Sequence, residues 1–317
     1  MLAMIFPGQG SEAPGMQAEL ADRYGEIELT YREASESLGF DLWQRVQTGS
    51  AESLSETVVT QPAMLAAGVA GWRAWQKAGG STPSYLAGHS LGEYTALVCA
   101  GSLEFGDAIR LVRRRGELMQ AAVPAGEGAM AAILGLDDGT VVEICRDAAE
   151  GQVVSAVNFN SPSQVVISGH RAAVLRAAEL ARKAGAKRAV LLSVSVPSHC
   201  ELMRPAAHAL SAALADTPLA APSIPVISNV DVRAYEEAGQ IRHGLTRQLY
   251  SPVRWSDTVR YLAAQGVSLM VEAGPGKVLT RLVARIERSV AAICIDTPKA
   301  LDDALALARN NHGEPDQ

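Results

Sequence analysis

The sequence lacks any long block of Lys and Arg, and its 28 basic residues are outnumbered by 34 acidic ones, for a formal net charge of −6. Binding a nucleic-acid backbone needs a positive footprint, so DNA and RNA are not expected partners. No stretch reaches the roughly 18 consecutive apolar residues of a membrane span. The apolar start Met1-Leu2-Ala3-Met4-Ile5-Phe6 has no basic n-region and runs into Pro7-Gly8-Gln9-Gly10. It reads as a buried strand and not as a signal peptide, and the expected location is the cytoplasm. Cysteine is sparse: Cys99, Cys145, Cys200 and Cys294 show no CxxC pairing, which argues against a disulfide framework and against a zinc site. They read as small buried hydrophobes, with Cys200 notable only because it follows His199. Repeats and low-complexity tracts are missing too. What remains, 48% hydrophobic and 20% charged, is the composition of a folded globular chain, with disorder expected only in a tail at 311–317.

Apolar runs of strand length alternate with amphipathic stretches of helix length, the pattern of an α/β fold with a mostly parallel sheet. Strands are expected at Leu2–Phe6, Tyr85–Gly88, Ile224–Ser228, Leu269–Glu272 and Ala291–Ile295, with helices such as 62–77, 93–99, 107–121, 200–214, 255–265 and 277–287 between them. One stretch breaks the rhythm. From about Gly126 to Val194 the order is strand, helix, strand, a turn through Asn158-Phe159-Asn160-Ser161-Pro162-Ser163, strand, helix, strand, which is the ferredoxin-like arrangement. The expectation is a large domain of 1–125 with 195–310, a small inserted domain of 126–194, and a ligand cleft between them.

The strongest motif is Gly88-His89-Ser90-Leu91-Gly92, a G-x-S-x-G that follows the apolar Tyr85-Leu86-Ala87 and opens a helix. A serine at such a turn is exposed at the carboxyl edge of the sheet, and the flanking glycines let the backbone take strained angles. The helix N-terminus behind it offers unpaired N–H groups to a developing oxyanion, the N–H of Leu91 being the natural first donor.

A serine needs a neighbouring base, and there are six histidines. His312 is in the polar tail, His243 in a polar stretch, His170 at a helix start and His208 on an Ala-rich helix; His89 should diverge from Ser90. His199 remains, in the loop Pro197-Ser198-His199 after an apolar run, and its position alone leaves it between a base and a structural loop histidine. No acid presents itself as a third triad member. Arg115 lies on the apolar stripe of Ala108, Leu111, Val112, Leu118 and Met119. A guanidinium pointing inward there must meet a protein carboxylate or a ligand anion, and the sequence leaves both open.

Together Phe6-Pro7-Gly8-Gln9-Gly10-Ser11, Thr60-Gln61-Pro62-Ala63, Gly88-His89-Ser90-Leu91-Gly92-Glu93-Tyr94, Arg115-Gly116, Asn158-Phe159-Asn160-Ser161-Pro162, Val196-Pro197-Ser198-His199-Cys200 and Glu272-Ala273-Gly274-Pro275-Gly276 resemble the malonyl-CoA:acyl carrier protein transacylases of bacterial fatty acid synthesis, over nearly the whole chain. The resemblance implies an α/β-hydrolase-like large domain with a ferredoxin-like insertion. It implies Ser90 as the acylated nucleophile, His199 as the base, the N–H groups of Gln9 and Leu91 as the oxyanion hole, and Arg115 as partner of the malonyl carboxylate. Gln248 matches the residue whose main-chain carbonyl orients the histidine, while Gln61 and Asn160 match further pocket positions. Glu12 departs from the glutamine common in the family, and a minor effect is expected because it lies beyond the oxyanion loop.

The implied reaction carries malonyl from malonyl-CoA, through malonyl-Ser90, to the pantetheine thiol of acyl carrier protein, with CoA thioester as substrate and no metal or redox cofactor required. A monomer is the default. An acidic carrier would need a basic patch, for which Arg113, Arg114, Arg182, Lys183, Lys187 and Arg188 are candidates. The rivals are a serine hydrolase, an acyltransferase of polyketide assembly or malonate decarboxylation, and a non-catalytic carrier-binding module.

Overall fold

The structure is a computed structural model that describes residues 1–194 and 196–311. Among the described residues nine strands form two sheets: β1 (Leu2–Phe6), β2 (Tyr85–Gly88), β3 (Gly128–Leu134), β4 (Val154–Ser161), β5 (Gln164–His170), β6 (Arg188–Leu191), β7 (Val226–Ile227), β8 (Leu269–Glu272) and β9 (Ala291–Cys294). The larger sheet is parallel with order β7-β2-β1-β8-β9. All five residues of β1 are buried, as they must be in the central strand of a sheet covered on both faces by helices. Phe6 pairs in register with Gly88 and Ile5 with Glu272, so the loops that follow these strands open on one edge. Ligands of open α/β sheets bind at that edge.

The smaller sheet is antiparallel with order β4-β5-β3-β6. Helices Asp138–Ala148 and Arg171–Lys183 lay Val141, Ile144, Val174 and Ala177 against its face, which is the ferredoxin-like arrangement. Two backbone bonds tie β4 to the segment ahead of helix Trp255–Ala264: Phe159 N–H donates to the Val253 carbonyl (3.0 Å) and Val253 N–H to the Val157 carbonyl (2.8 Å).

These contacts overturn the expected turn at 158–163. Strand β4 continues through Ser161, with register shifts at Ala156/Asn158 and Phe159/Ser161, and only Pro162 and Ser163 turn. Asn, Ser and Pro read as loop residues, but bulges let a strand carry them while turning side chains toward a neighbour.

Other boundaries shift too. Helix Thr57–Lys77 begins five residues before Pro62, which therefore lies inside it. Proline reads as a helix start, but the buried Thr57, Val59 and Thr60 already wind against the core. Strand β7 is two residues long. Four helices, Ala18–Arg23, Glu26–Leu38, Leu42–Thr48 and Ala51–Ser55, precede the long helix. Helix Pro298–Asn311 runs one residue into the expected tail because Leu301, Ala304, Leu305 and Ala308 bury one face; residues 312–317, His312 among them, lie outside the described residues. No helix among the described residues is long and apolar enough to cross a membrane.

Candidate active site

Strand β2 turns into helix Gly92–Cys99 at Ser90, whose φ is 51°. A non-glycine residue with positive φ is strained by about 1–3 kcal/mol and persists only where its surroundings over-determine it. Here they do. Asn229 Oδ1 accepts from Ser90 N–H at 2.7 Å while Asn229 Nδ2 donates to the Gly88 carbonyl at 2.6 Å, and Gln248 Nε2 donates to the Ser90 carbonyl at 2.9 Å. The glycines are required by space. A Cβ on Gly88 would stand 1.9 Å from the Gly92 carbonyl carbon, and one on Gly92 would stand 2.1 Å from the Phe6 oxygen.

His199, 4% exposed, reaches the elbow from the far side of the cleft, with Nε2 2.8 Å from Ser90 Oγ. Its backbone is also left-handed, φ 64°. On the other side of the ring, Nδ1 lies 2.7 Å from the Gln248 carbonyl. Gln248 is the last residue of helix Ala238–Gln248, where carbonyls lack intrahelical donors and carry the negative end of the helix dipole. That carbonyl fixes the tautomer: Nδ1 carries the proton and Nε2 is free to accept from serine. Burial, with the Arg115 charge second, holds His199 down to about 3, so the imidazole is neutral near pH 7 and its Nε2 lone pair is open to the Ser90 proton.

Arg115 is 2% exposed. Its Nη1 donates to Gln61 Oε1 at 2.9 Å, and its Nη2 to Gln248 Oε1 at 3.0 Å and to Ser90 Oγ at 3.3 Å. It stacks over the Tyr94 ring at 5.5 Å. Among the described residues no carboxylate stands at ion-pair distance from it, and its Nε has no acceptor. Burial depresses its pKa. Neutral amides thus hold a charged fork beside the Ser90 hydroxyl with no protein anion in contact among the described residues.

Gln9 and Leu91 border the same cavity as Ser90, Arg115 and His199. Their backbone N–H groups donate to no protein acceptor among the described residues. Gln61 and Asn160 do not border it: Gln61 backs Arg115, and Asn160 Oδ1 accepts from His89 Nε2 at 2.8 Å, which turns that histidine away from the serine as its neighbouring position requires. Asn158, Met119 and Met130 line the cavity instead. His208 and His243 are exposed, and Nδ1 of His170 accepts from Val153 N–H. The Cys200 thiol is buried, 3.2 Å from the Pro197 carbonyl, with its pKa raised by burial. Glu12, expected beyond the loop of Gln9, sends its carboxylate back to accept from the N–H of the left-handed Gly10 (φ 99°) at 2.6 Å.

Sequence reasoning missed Glu93 and Asn229. Glu93 is fully buried and accepts from Tyr235 Oη (2.5 Å), Gln248 Nε2 (2.6 Å) and Asn229 N–H (3.3 Å). Only the position of Glu93 in the helix opened by the elbow, and of Asn229 just past an apolar strand, pointed to them.

The chain matches the family described as "Acyl transferase domain" over residues 3–301. A malonyl CoA-acyl carrier protein transacylase of Salmonella typhimurium is 55% identical over 303 residues, 96% of this chain and 98% of that one. Two solved structures resemble it throughout. An acyl carrier protein S-malonyltransferase from Vibrio cholerae is 56% identical with a TM-score of 0.93, over 95% of this chain and 99% of that one. A malonyl-transacylase in complex with its type II PKS acyl-carrier protein is 53% identical with a TM-score of 0.95, over 96% and 99%. The elbow serine, its imidazole and the buried arginine thus sit in a chain that belongs to the malonyl CoA-acyl carrier protein transacylases.

Proposed function

We propose that this chain transfers malonyl from malonyl-CoA to the pantetheine thiol of acyl carrier protein through a malonyl ester on Ser90, supplying fatty acid synthesis in the cytoplasm. The observation that carries the reading is the convergence on one hydroxyl: His199 Nε2 at 2.8 Å and Arg115 Nη2 at 3.3 Å from Ser90 Oγ. A base and a carboxylate receptor on the same atom suit a nucleophile whose acyl group bears an anion.

In the first half-reaction His199 takes the Ser90 proton as Oγ attacks the thioester carbonyl. The oxyanion faces the N–H groups of Gln9 and Leu91, each worth about 3 kcal/mol in the transition state. His199 then protonates the CoA thiolate as it leaves. The imidazolium formed in each attack is stabilised by the Gln248 carbonyl at the helix C-terminus, which stands where a triad would place a carboxylate. In the second half the pantetheine thiol gives its proton to His199 and attacks malonyl-Ser90, so the kinetics are ping-pong. Arg115 selects the acyl group, since an acyl chain without a carboxylate leaves a buried fork unpaired.

Intact-mass measurement after mixing with malonyl-CoA tests this: wild type gains one malonyl group, Ser90→Ala gains none, and adding holo acyl carrier protein discharges the first. Release of free malonate without transfer to thiol would instead make the chain a hydrolase. Because one relative is seen with a type II PKS carrier, fatty-acid and polyketide carriers belong side by side in the discharge step, and the fatty-acid assignment requires faster discharge by the former.

A further inference from the structure

Resting on the malonyl-transfer reading, we propose that Glu93 is a positioning residue that fixes the side-chain amide of Gln248 in the orientation presenting its oxygen to Arg115, and so sets the preference for a carboxylated acyl group. The Gln248 amide has two ends in two different surroundings. Its Nε2 faces acceptors, Glu93 Oε2 at 2.6 Å and the Ser90 carbonyl at 2.9 Å, and its Oε1 faces the Arg115 donor at 3.0 Å. A flipped amide would set oxygen against two acceptors and NH₂ against a cation, so the acceptors decide the orientation.

Glu93 is the charged one of those acceptors, and its own position is fixed from three elements. It belongs to the first turn of helix Gly92–Cys99, Tyr235 Oη donates to its Oε1, and Asn229 N–H and Gln248 donate to its Oε2. All its neighbours are donors, which suits an ionised carboxylate. Burial nevertheless pulls the group up to about 7, against the hydrogen bonds from Tyr235 and Gln248 and the Arg115 charge. A carboxylate this buried, without a cation in contact, is costly to keep. The geometry gives it a use: it aims Arg115 without neutralising it, through one amide whose residue also offers the carbonyl to His199.

The test compares malonyl with acetyl transfer to holo acyl carrier protein. Glu93→Asp withdraws the carboxylate from Gln248 by one methylene and keeps the charge; malonyl kcat/KM should fall about tenfold more than acetyl kcat/KM. Glu93→Gln can still accept from Gln248 while Tyr235 accepts from its NH₂, and the malonyl-to-acetyl ratio should stay within about twofold of wild type. Gln248→Met removes the amide but keeps the carbonyl on His199, and should show the same selective loss as Glu93→Asp even if the latter fails to fold. Equal losses on both acyl groups in folded Glu93→Asp or Gln248→Met, or a ratio in Glu93→Gln as low as in Glu93→Asp, would overturn the proposal. A wild type that never forms malonyl-Ser90 would instead remove the reading beneath it.

Discussion

Arg115 Nη2 lies 3.3 Å from Ser90 Oγ, so the guanidinium and the nucleophile meet at one point of the cleft. Truncating this arginine removes the proposed receptor for an acyl carboxylate and leaves Gln61 and Gln248 oxygens without their donor. Arg115→Ala should lose about 3 kcal/mol in malonyl kcat/KM, a hundredfold, with a much smaller change for acetyl-CoA. Arg115→Lys should recover little of it, because an ammonium cannot span the amides and a carboxylate together. Steady-state kinetics on the two thioesters decide, and equal losses on both would refute the carboxylate role.

The pH dependence follows from the same neighbour. Burial first and the Arg115 charge second hold His199 down to about 3, so kcat/KM for malonyl-CoA should show no inflection at the ordinary imidazole value near 6.5. Removing the Arg115 charge should move the acid limb upward in Arg115→Ala. Stability carries the same signature: the unfolded imidazole binds a proton from about 6.5 downward and the folded one does not. The contribution of neutral His199 is therefore complete above that pH and is lost as pH falls toward 3. Urea midpoints at pH 7 and pH 5 should differ less in His199→Asn than in wild type, and a wild-type rate limb at 6.5 would refute the depressed value.

Much of this was legible in the sequence, for identifiable reasons. Strands β1, β2 and β8 have their expected bounds because short apolar runs stop at Pro7, at the Gly88 elbow and at Ala273-Gly274. The elbow was readable because its serine and both glycines fall within five consecutive residues between an apolar strand and a helix. The orienting partner of His199 was not readable from residue type, since a backbone carbonyl is common to every residue; only resemblance pointed to Gln248. Asn229 and Glu93 depend on contacts between residues more than 130 positions apart, which no local pattern encodes. The stretch 158–161 misled because its composition favours a turn while the bridge to Val253 favours a strand.

Asn229 brackets the strained elbow, taking the Ser90 N–H and giving to the Gly88 carbonyl. Asn229→Ala leaves a buried donor and a buried acceptor unpaired and lets Ser90 relax from its left-handed backbone. Stability should drop by about 1–3 kcal/mol, and the rate of Ser90 acylation should fall roughly tenfold or more with little change in KM, since small misplacements of a nucleophile are costly. Rapid-quench acylation alongside thermal melts separates the two effects. A variant that melts early yet acylates at the wild-type rate would show that Asn229 serves folding alone.

Glu12 places a carboxylate on Gly10 N–H, one residue from Gln9, which borders the cavity and whose N–H is a proposed oxyanion donor. Two influences oppose each other there. As an acceptor it holds Gly10, next to Gln9; as a negative charge it would disfavour an oxyanion at the proposed donor, and partial burial raises its pKa. Glu12→Gln keeps an acceptor for Gly10 and removes the charge, so malonyl kcat/KM should rise about twofold, and less in high salt. Glu12→Ala removes both, and the freed left-handed Gly10 should loosen Gln9 and lower the rate several-fold, one oxyanion donor being worth about 3 kcal/mol when fully lost. If both substitutions change the rate in the same direction, the charge and the hydrogen bond do not oppose each other, and the loop is held by its backbone alone.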